Sequence, residues 1–130
     1  MKAGGNDTTM SSLDRGRTAE ALAAAYLERQ GLCILERNFR IRGGEIDLVC
    51  RQGGTLVFVE VRLRSRNDFG GAGESITATK RRRIILAARH YLARHSRQAR
   101  GQDCRFDCVL LQNLDGTAIE WIPGAFSVDA

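Results

Sequence analysis

Lysine is nearly missing from this chain: of 130 residues only Lys2 and Lys80 are lysines, against eighteen arginines. A lysine that survives in such a background stands out, and Lys80 does so at a predicted helix start. Long apolar runs are missing too, which excludes a membrane-spanning helix, and the first dozen residues hold no apolar stretch that could serve as a secretory signal. The four cysteines (Cys33, Cys50, Cys104 and Cys108) have no Cys-x-x-Cys pairing and no histidine at zinc-site spacing. They read as thiols in a reducing compartment, Cys104 and Cys108 flanking one strand, and the expected location is cytoplasmic. What remains is 43% hydrophobic, enough for one globular domain, with a net charge of +5 that favours a polyanionic partner. Residues 1–12 read as a disordered lead and 13–130 as a single domain.

The most informative stretch is Gly44-Glu45-Ile46-Asp47-Leu48, followed after Gly53-Gly54 by Val57-Phe58-Val59-Glu60-Val61-Arg62. From Leu56 to Val61 nearly every residue is β-branched or aromatic, so a strand is expected, yet a carboxylate sits inside it. An ionised carboxylate in an interior strand is costly unless a cation or hydrogen-bond donors compensate it. Side chains alternate along strands, so Glu45 and Asp47 are expected to share one face, and Glu60 and Arg62 another. A hairpin bringing those faces together gathers carboxylates that repel one another, and a divalent cation relieves the repulsion. Mg²⁺ or Mn²⁺ suits such oxygen ligands.

An Asp followed by a hydrophobic strand carrying Glu-x-Lys is the signature of the PD-(D/E)xK nucleases, the restriction-endonuclease-like fold that includes archaeal Holliday-junction resolvases. Asp47, Glu60 and Arg62 resemble it. Closer still, Gly16-Arg17-Thr18-Ala19-Glu20, Asn38-Phe39-Arg40, the Gly44–Leu48 and Val57–Arg62 segments, Lys80 with its basic run, and Arg105-Phe106-Asp107 resemble the YraN family of small bacterial proteins. The likeness extends from about Gly16 to Phe126. It implies an α/β restriction-endonuclease-like core, a central mixed sheet flanked by helices, and a metal site held by Asp47 and Glu60. It also implies that Glu20, on the first helix, reaches that site, as a glutamate does in the resolvase-like proteins. Glu45 ranks below Asp47, as a ligand or as a partner of the ligands. Resolvases act as dimers, so a homodimer would suit a two-fold symmetric junction.

The resemblance departs at Arg62, where the pattern expects lysine. A lysine ammonium can orient and share a proton with an attacking water, whereas a guanidinium stays charged at any accessible pH. Arg62 can instead hold a phosphate through two parallel hydrogen bonds and stabilise transition-state charge. Water activation then falls mainly to the metal, with Lys80 as the remaining lysine.

Periodicity predicts a helix over residues 14–30, with Leu13, Ala19, Leu22, Ala23, Tyr26 and Leu27 on its inner stripe and Gly31 as its stop. A strand is expected over 32–39, then the two strands of the acidic hairpin. Residues 67–73, with three glycines, read as a mobile loop near the site. Thr77 can cap a second helix reaching about His95, with Ile84, Ile85, Ala88 and Leu92 inward. After a polar connection, strands over 105–112 and 118–122 close the sheet around Asp115-Gly116.

The basic run Lys80, Arg81, Arg82 and Arg83, with Arg64 and Arg66 beyond strand three, is the expected nucleic-acid footprint. Consecutive arginines fan around a helix, so they cannot all face one ligand. Asp107 reads as a surface or paired carboxylate. The expected activity is metal-dependent hydrolysis of phosphodiester bonds in DNA, with Asp47, Glu60, Arg62 and Lys80 as its catalytic set and branched or recombination intermediates as substrates. The alternative is a weak or inactive adaptor that binds nucleic acid on a nuclease fold. A protein-interaction domain without nucleic acid would leave the acidic hairpin and basic helix without a purpose.

Overall fold

The computed structural model describes residues 10–64, 76–95 and 102–128. The expected lead up to Thr9, the glycine-rich loop, Arg66 and most of the polar connection, with Arg97 and Arg100, lie outside them. The elements follow the expected order: α1 (Ser12–Arg29), β1 (Cys33–Ile41), β2 (Gly44–Gln52), β3 (Thr55–Leu63), α2 (Ala78–Arg94), β4 (Asp103–Leu111) and β5 (Ile119–Phe126). One five-stranded sheet runs β1-β2-β3-β4-β5. Only β3 and β4 pair in parallel, joined through α2, and the other neighbours are antiparallel.

Each helix covers one face of the sheet. Ala19, Ala23, Ala24 and Leu27 of α1 pack on Leu48, Cys50, Val57, Val59, Val109 and Leu111. On the other face, Ile84, Ala87, Ala88 and Tyr91 of α2 pack on Ile46, Val49, Phe58, Phe106, Cys108 and Leu110. Alternation along β3 thus sends Leu56 and Phe58 to α2 and Val57 and Val59 to α1, as a strand buried on both faces requires. The expected α/β class with a central mixed sheet between helices is what the chain adopts.

Local chemistry accounts for the boundaries. Ser11 caps α1 by accepting from the Asp14 N–H, and Thr77 caps α2 by accepting from the Lys80 N–H. The helix therefore starts at Ser12, two residues before the expected point, and its first turn is solvent-facing: Leu13, placed by spacing on the inner stripe, is 61% exposed. Gly53, at φ 59°, turns the two-residue loop of the acidic hairpin between Gln52 and Thr55. Strand β5 runs on past Ile122 through Pro123 and Gly124 to Phe126. Proline is tolerated there because β5 is an edge strand, and a bulge opposite Phe106 and Cys108 absorbs the irregularity. Cys104 and Cys108 lie within β4 rather than at its ends, and all four thiols are free. Burial pushes Cys50 and Cys108 up to about 12, so both stay protonated.

Candidate active site

Strands β2 and β3 part company in the middle of the sheet. Their ladder ends at Leu48 opposite Val59. Beyond it β2 continues along β1, to Gly44 opposite Ile41, while β3 continues along β4, to Leu63 opposite Leu111. Asp47 stands at the fork, and its Oδ2 accepts the Val61 N–H at 2.8 Å, filling a hydrogen bond the ladder no longer supplies. Face alternation slips at the same place. Ile46 packs under α2 and Leu48 under α1, although residues two apart share a face in a regular strand. The expected common face of Glu45 and Asp47 is therefore not formed, because the irregular backbone turns the Asp47 carboxylate toward β3.

On the opposite strand, Asn38 of β1 adopts φ 52°, the one non-glycine residue with positive φ among the described residues. Asparagine tolerates that conformation better than most residues. Its side chain is within hydrogen-bonding reach of Glu20. Sequence reasoning met Asn38 only as part of the Asn38-Phe39-Arg40 resemblance and gave it no role at the site; an asparagine interrupting a strand pattern was the further signal.

Three carboxylates meet through the fork. Glu20 comes from the α1 layer, Asp47 from between the strands and Glu60 from the face under α2. Asp47 lies within hydrogen-bonding reach of Glu60 and of Glu20. Burial first, and then the Glu60 charge, push Asp47 up to about 7, against the lowering by the Val61 N–H and Lys80. Burial and Asp47 raise Glu20 above its ordinary value, against Asn38 and Arg40. The carboxylates thus form a row centred on Asp47. Asp47 therefore takes up a proton near neutral pH, where an ordinary aspartate is ionised, since adjacent carboxylates cannot both ionise without cost.

The row ends on Lys80, whose Nζ lies 2.8 Å from Oε2 of Glu60. Glu60 is only 3% exposed, so this ammonium answers a charge that water cannot. Gly44 makes the contact reachable. A Cβ at Gly44 would clash with the Arg83 carbonyl, so a bare backbone lets α2 press onto β2 and deliver its first turn to the site.

The other expected residues are placed as follows. Arg62 follows Glu60 on the α2 face, half-buried, and no ion pair joins it to Asp47 or Glu60 among the described residues. Glu45 lines a recess of about 270 Å³ with Thr77, Thr79, Lys80 and Arg83, which sets it beside the row rather than in it. Arg81 folds back to donate to the Ile76 carbonyl at 2.9 Å, and Arg82 donates to Thr79 at 3.2 Å, so the run fans as consecutive arginines must. Arg64 leaves the end of β3, its N–H donating to the Leu111 carbonyl at 2.8 Å. A second recess, of about 390 Å³, is lined by Leu13, Arg17, Glu20, Asn38 and Arg40. Glu20 opens into one recess and Lys80 into the other.

The donor set fits a hard divalent cation in kind: carboxylate oxygens, incompletely compensated, with a proton on Asp47 that a cation could displace. Among the described residues no three acidic, histidine or cysteine side chains stand close enough together to hold a metal ion, so the row is a chain of pairs. Asp47 and Glu60 would hold the ion with water completing its shell, the sparse protein ligation that Mg²⁺ accepts.

Fold and site define a small α/β protein with a row of carboxylates and a lysine threaded through a split sheet. Residues 19–111 match the model of the uncharacterised protein family UPF0102. The chain belongs to that family, which is the YraN family. It is 63% identical over 129 residues to a UPF0102 protein of Dechloromonas aromatica, covering 99% of both chains. Relatives in Methylobacillus flagellatus and Pseudomonas aeruginosa, both UPF0102 proteins, are 55% and 50% identical, covering 86% and 89% of this chain and 96% and 94% of theirs. No helix among the described residues is long and apolar enough to cross a membrane.

Proposed function

We propose that the chain is a metal-dependent endonuclease of the PD-(D/E)xK kind, hydrolysing phosphodiester bonds in DNA, with branched or recombination intermediates as substrates. The observation that carries this reading is the Asp47 carboxyl, pushed up to about 7 between Glu20 and Glu60 in the fork of the sheet. Glu20 and Asp47, from two different elements, are both raised by burial and by neighbouring carboxylate charge, which supports a site that a cation would complete. A bound Mg²⁺ or Mn²⁺ supplies Lewis acidity toward the phosphate and acidifies a coordinated water.

The chain's own residues do the rest. Asp47 and Glu60 would hold the cation, and Glu20, at the far end of the row, would orient the attacking water and take its proton. Lys80, paired with Glu60 and half exposed, would turn its ammonium to the phosphate. Arg62 and Lys80 would neutralise charge on the non-bridging oxygens while water adds to phosphorus and the P–O bond to the sugar breaks, the leaving oxygen taking a proton from solvent water. Arg64, Arg66, Arg81, Arg82 and Arg83 contribute backbone contacts, which predicts steep salt dependence and little sequence preference. A homodimer would present two such rows to a symmetric junction.

The test is cleavage of branched, flapped, single-stranded and duplex DNA with Mg²⁺ or Mn²⁺, comparing the natural chain with Glu60→Gln and Arg62→Lys. Equal activity in the natural chain and Glu60→Gln sinks the proposal. The Lys80–Glu60 pair favours one second reading, an adaptor that binds nucleic acid without cutting it, because the site is already partly neutralised without a metal. Metal-independent binding with no cleavage of any branched substrate, unimproved by Arg62→Lys, would establish that reading instead.

A further inference from the structure

The two recesses beside the carboxylate row differ in a way that bears on the substrate. Around Lys80 the lining is polar or basic apart from Ile84, and Ile84 is buried, so that end offers contacts to phosphate and little to a base. The Glu20 end is different. There Leu13 stands at the rim, 61% exposed and the most exposed large apolar side chain among the described residues. Arg17 from α1 and Arg40 from β1 line the same recess, both exposed to solvent. An apolar side chain beside two guanidiniums is the chemistry that receives a nucleotide: a flat base against the leucine or an arginine plane, and a phosphate on the arginine forks.

We propose that this recess binds one unpaired nucleotide of the substrate strand, packed on Leu13 and held through its phosphate by Arg17 and Arg40. At about 390 Å³ it lies at the small end of ligand-sized clefts, room for a single nucleotide but not for a base pair with its flanking backbones. Because Glu20 lines the recess and touches Asp47 on its other side, the nucleotide held there adjoins the bond to be cut. A continuous duplex cannot place a base in it without unpairing, whereas a flap, a splayed arm or a single-stranded end can. The placement beside a bond to be cut rests on the nuclease reading, whereas the recess and its lining do not depend on it.

The experiment measures binding and cleavage separately. Fluorescein-labelled flap DNA and a fully paired duplex of the same sequence are titrated in EDTA, by anisotropy, against the natural chain, Leu13→Ala, the double variant Arg17→Ala/Arg40→Ala, and Arg82→Ala; cleavage is then followed with Mg²⁺. The natural chain binds the flap about ten-fold more tightly than the duplex, since the duplex must unpair a base to fill the recess. Leu13→Ala and the double variant bring that ratio close to one, while Arg82→Ala weakens both substrates alike. All the substituted side chains are exposed, so melting temperatures stay unchanged and a folding defect is recognised at once. A natural chain that binds flap and duplex equally, or a preference that survives both recess variants, overturns the proposal. Cleavage without that preference removes the subsite and leaves the nuclease. A recess-dependent preference with no cleavage removes the nuclease and leaves the subsite.

Discussion

Two aspartates lie inside the same sheet, and their surroundings could hardly differ more. Asp107, on β4, is fully buried, and each of its oxygens accepts two hydrogen bonds. Oδ1 takes the Arg105 Nε–H at 2.8 Å and the Gly124 N–H at 2.9 Å, and Oδ2 takes the Arg105 Nη2–H and the Trp121 Nε1–H, each at 2.9 Å. The Arg105 fork supplies the charge, which raises its own already high affinity for a proton. Asp47, on β2, has one backbone donor and two carboxylates for neighbours. Asp47 is part-buried and Asp107 wholly so, and the more deeply buried of the two is the one the fold has satisfied, so depth of burial does not mark a functional acid. What separates them is compensation: Asp107 is satisfied by the fold, ties β5 to β4 across its bulge, and leaves nothing for a ligand to do, whereas Asp47 is left with a deficit that a cation would fill.

The sharpest way to break this contrast is to remove the acid from each region. Glu60→Gln, in the deficient region, should lower Mg²⁺-dependent cleavage by at least about 100-fold while leaving the melting temperature within a few degrees, since Lys80 is half exposed and can turn to water. Asp107→Ala should do the reverse. Removing it strands the Arg105 guanidinium, the Trp121 N–H and the Gly124 N–H, at a cost of roughly 3–5 kcal/mol in urea unfolding. Cleavage by the folded fraction, measured well below its melting point, should persist. Loss of activity in folded Asp107→Ala would mean that the two regions are not separable.

The contrast also explains what could be read from the amino acids. The elements were legible because two-sided burial of β2, β3 and β4 writes near-continuous apolar runs, and because Thr77 and Gly31 mark helix ends by known local chemistry. The acids at Asp47 and Glu60 were legible as interruptions of those runs. Their grouping was not, because regular alternation predicts that Glu45 goes with Asp47, and the ladder's end at Leu48 and Val59 is a property of the whole sheet. The slip that aims Asp47 at β3, and the Asn38 backbone opposite it, depend on β1, β2 and β3 together. Asp107 shows the same limit from the other side. Its alternation was visible, but one of its partners, Gly124, lies past Ile122, where the expected strand ended, because an edge position lets β5 run on through Pro123. Leu13 fits the helical spacing of α1 yet stays exposed in its first turn, at the rim of a recess shared with Asn38 and Arg40 of β1.

pH separates the two aspartates next. Burial and Glu60 hold the folded-state Asp47 up to about 7 against its ordinary 3.8, so between those values the folded chain binds more protons than the unfolded one. Stability therefore falls as pH rises through that window and levels off above about 7. Asp47→Asn keeps an oxygen for the Val61 N–H and has no proton to lose. Measured in EDTA, it should gain on the natural chain by about 2 kcal/mol between pH 5 and pH 8. A stability difference that stays flat across this range would show that Asp47 is as well compensated as Asp107.

The smallest effect tests the same deficit with the ion itself. A ligand that binds only the folded state stabilises it in proportion to the logarithm of its concentration over its dissociation constant, so Mg²⁺ at ten times that constant adds about 1.4 kcal/mol, a rise of a few degrees in melting temperature. The natural chain should show this rise at pH 8 and less of it at pH 6, because the proton on Asp47 competes with the ion. Glu60→Gln, lacking one of the two proposed ligands, should show almost none, while a conservative change in the satisfied region, Trp121→Phe, should leave the increment intact even though it lowers the starting melting temperature. If Glu60→Gln retained the full increment, the ion would be binding elsewhere, and the row would have to be read as a set of acids that the fold tolerates through Lys80 and a proton on Asp47 alone.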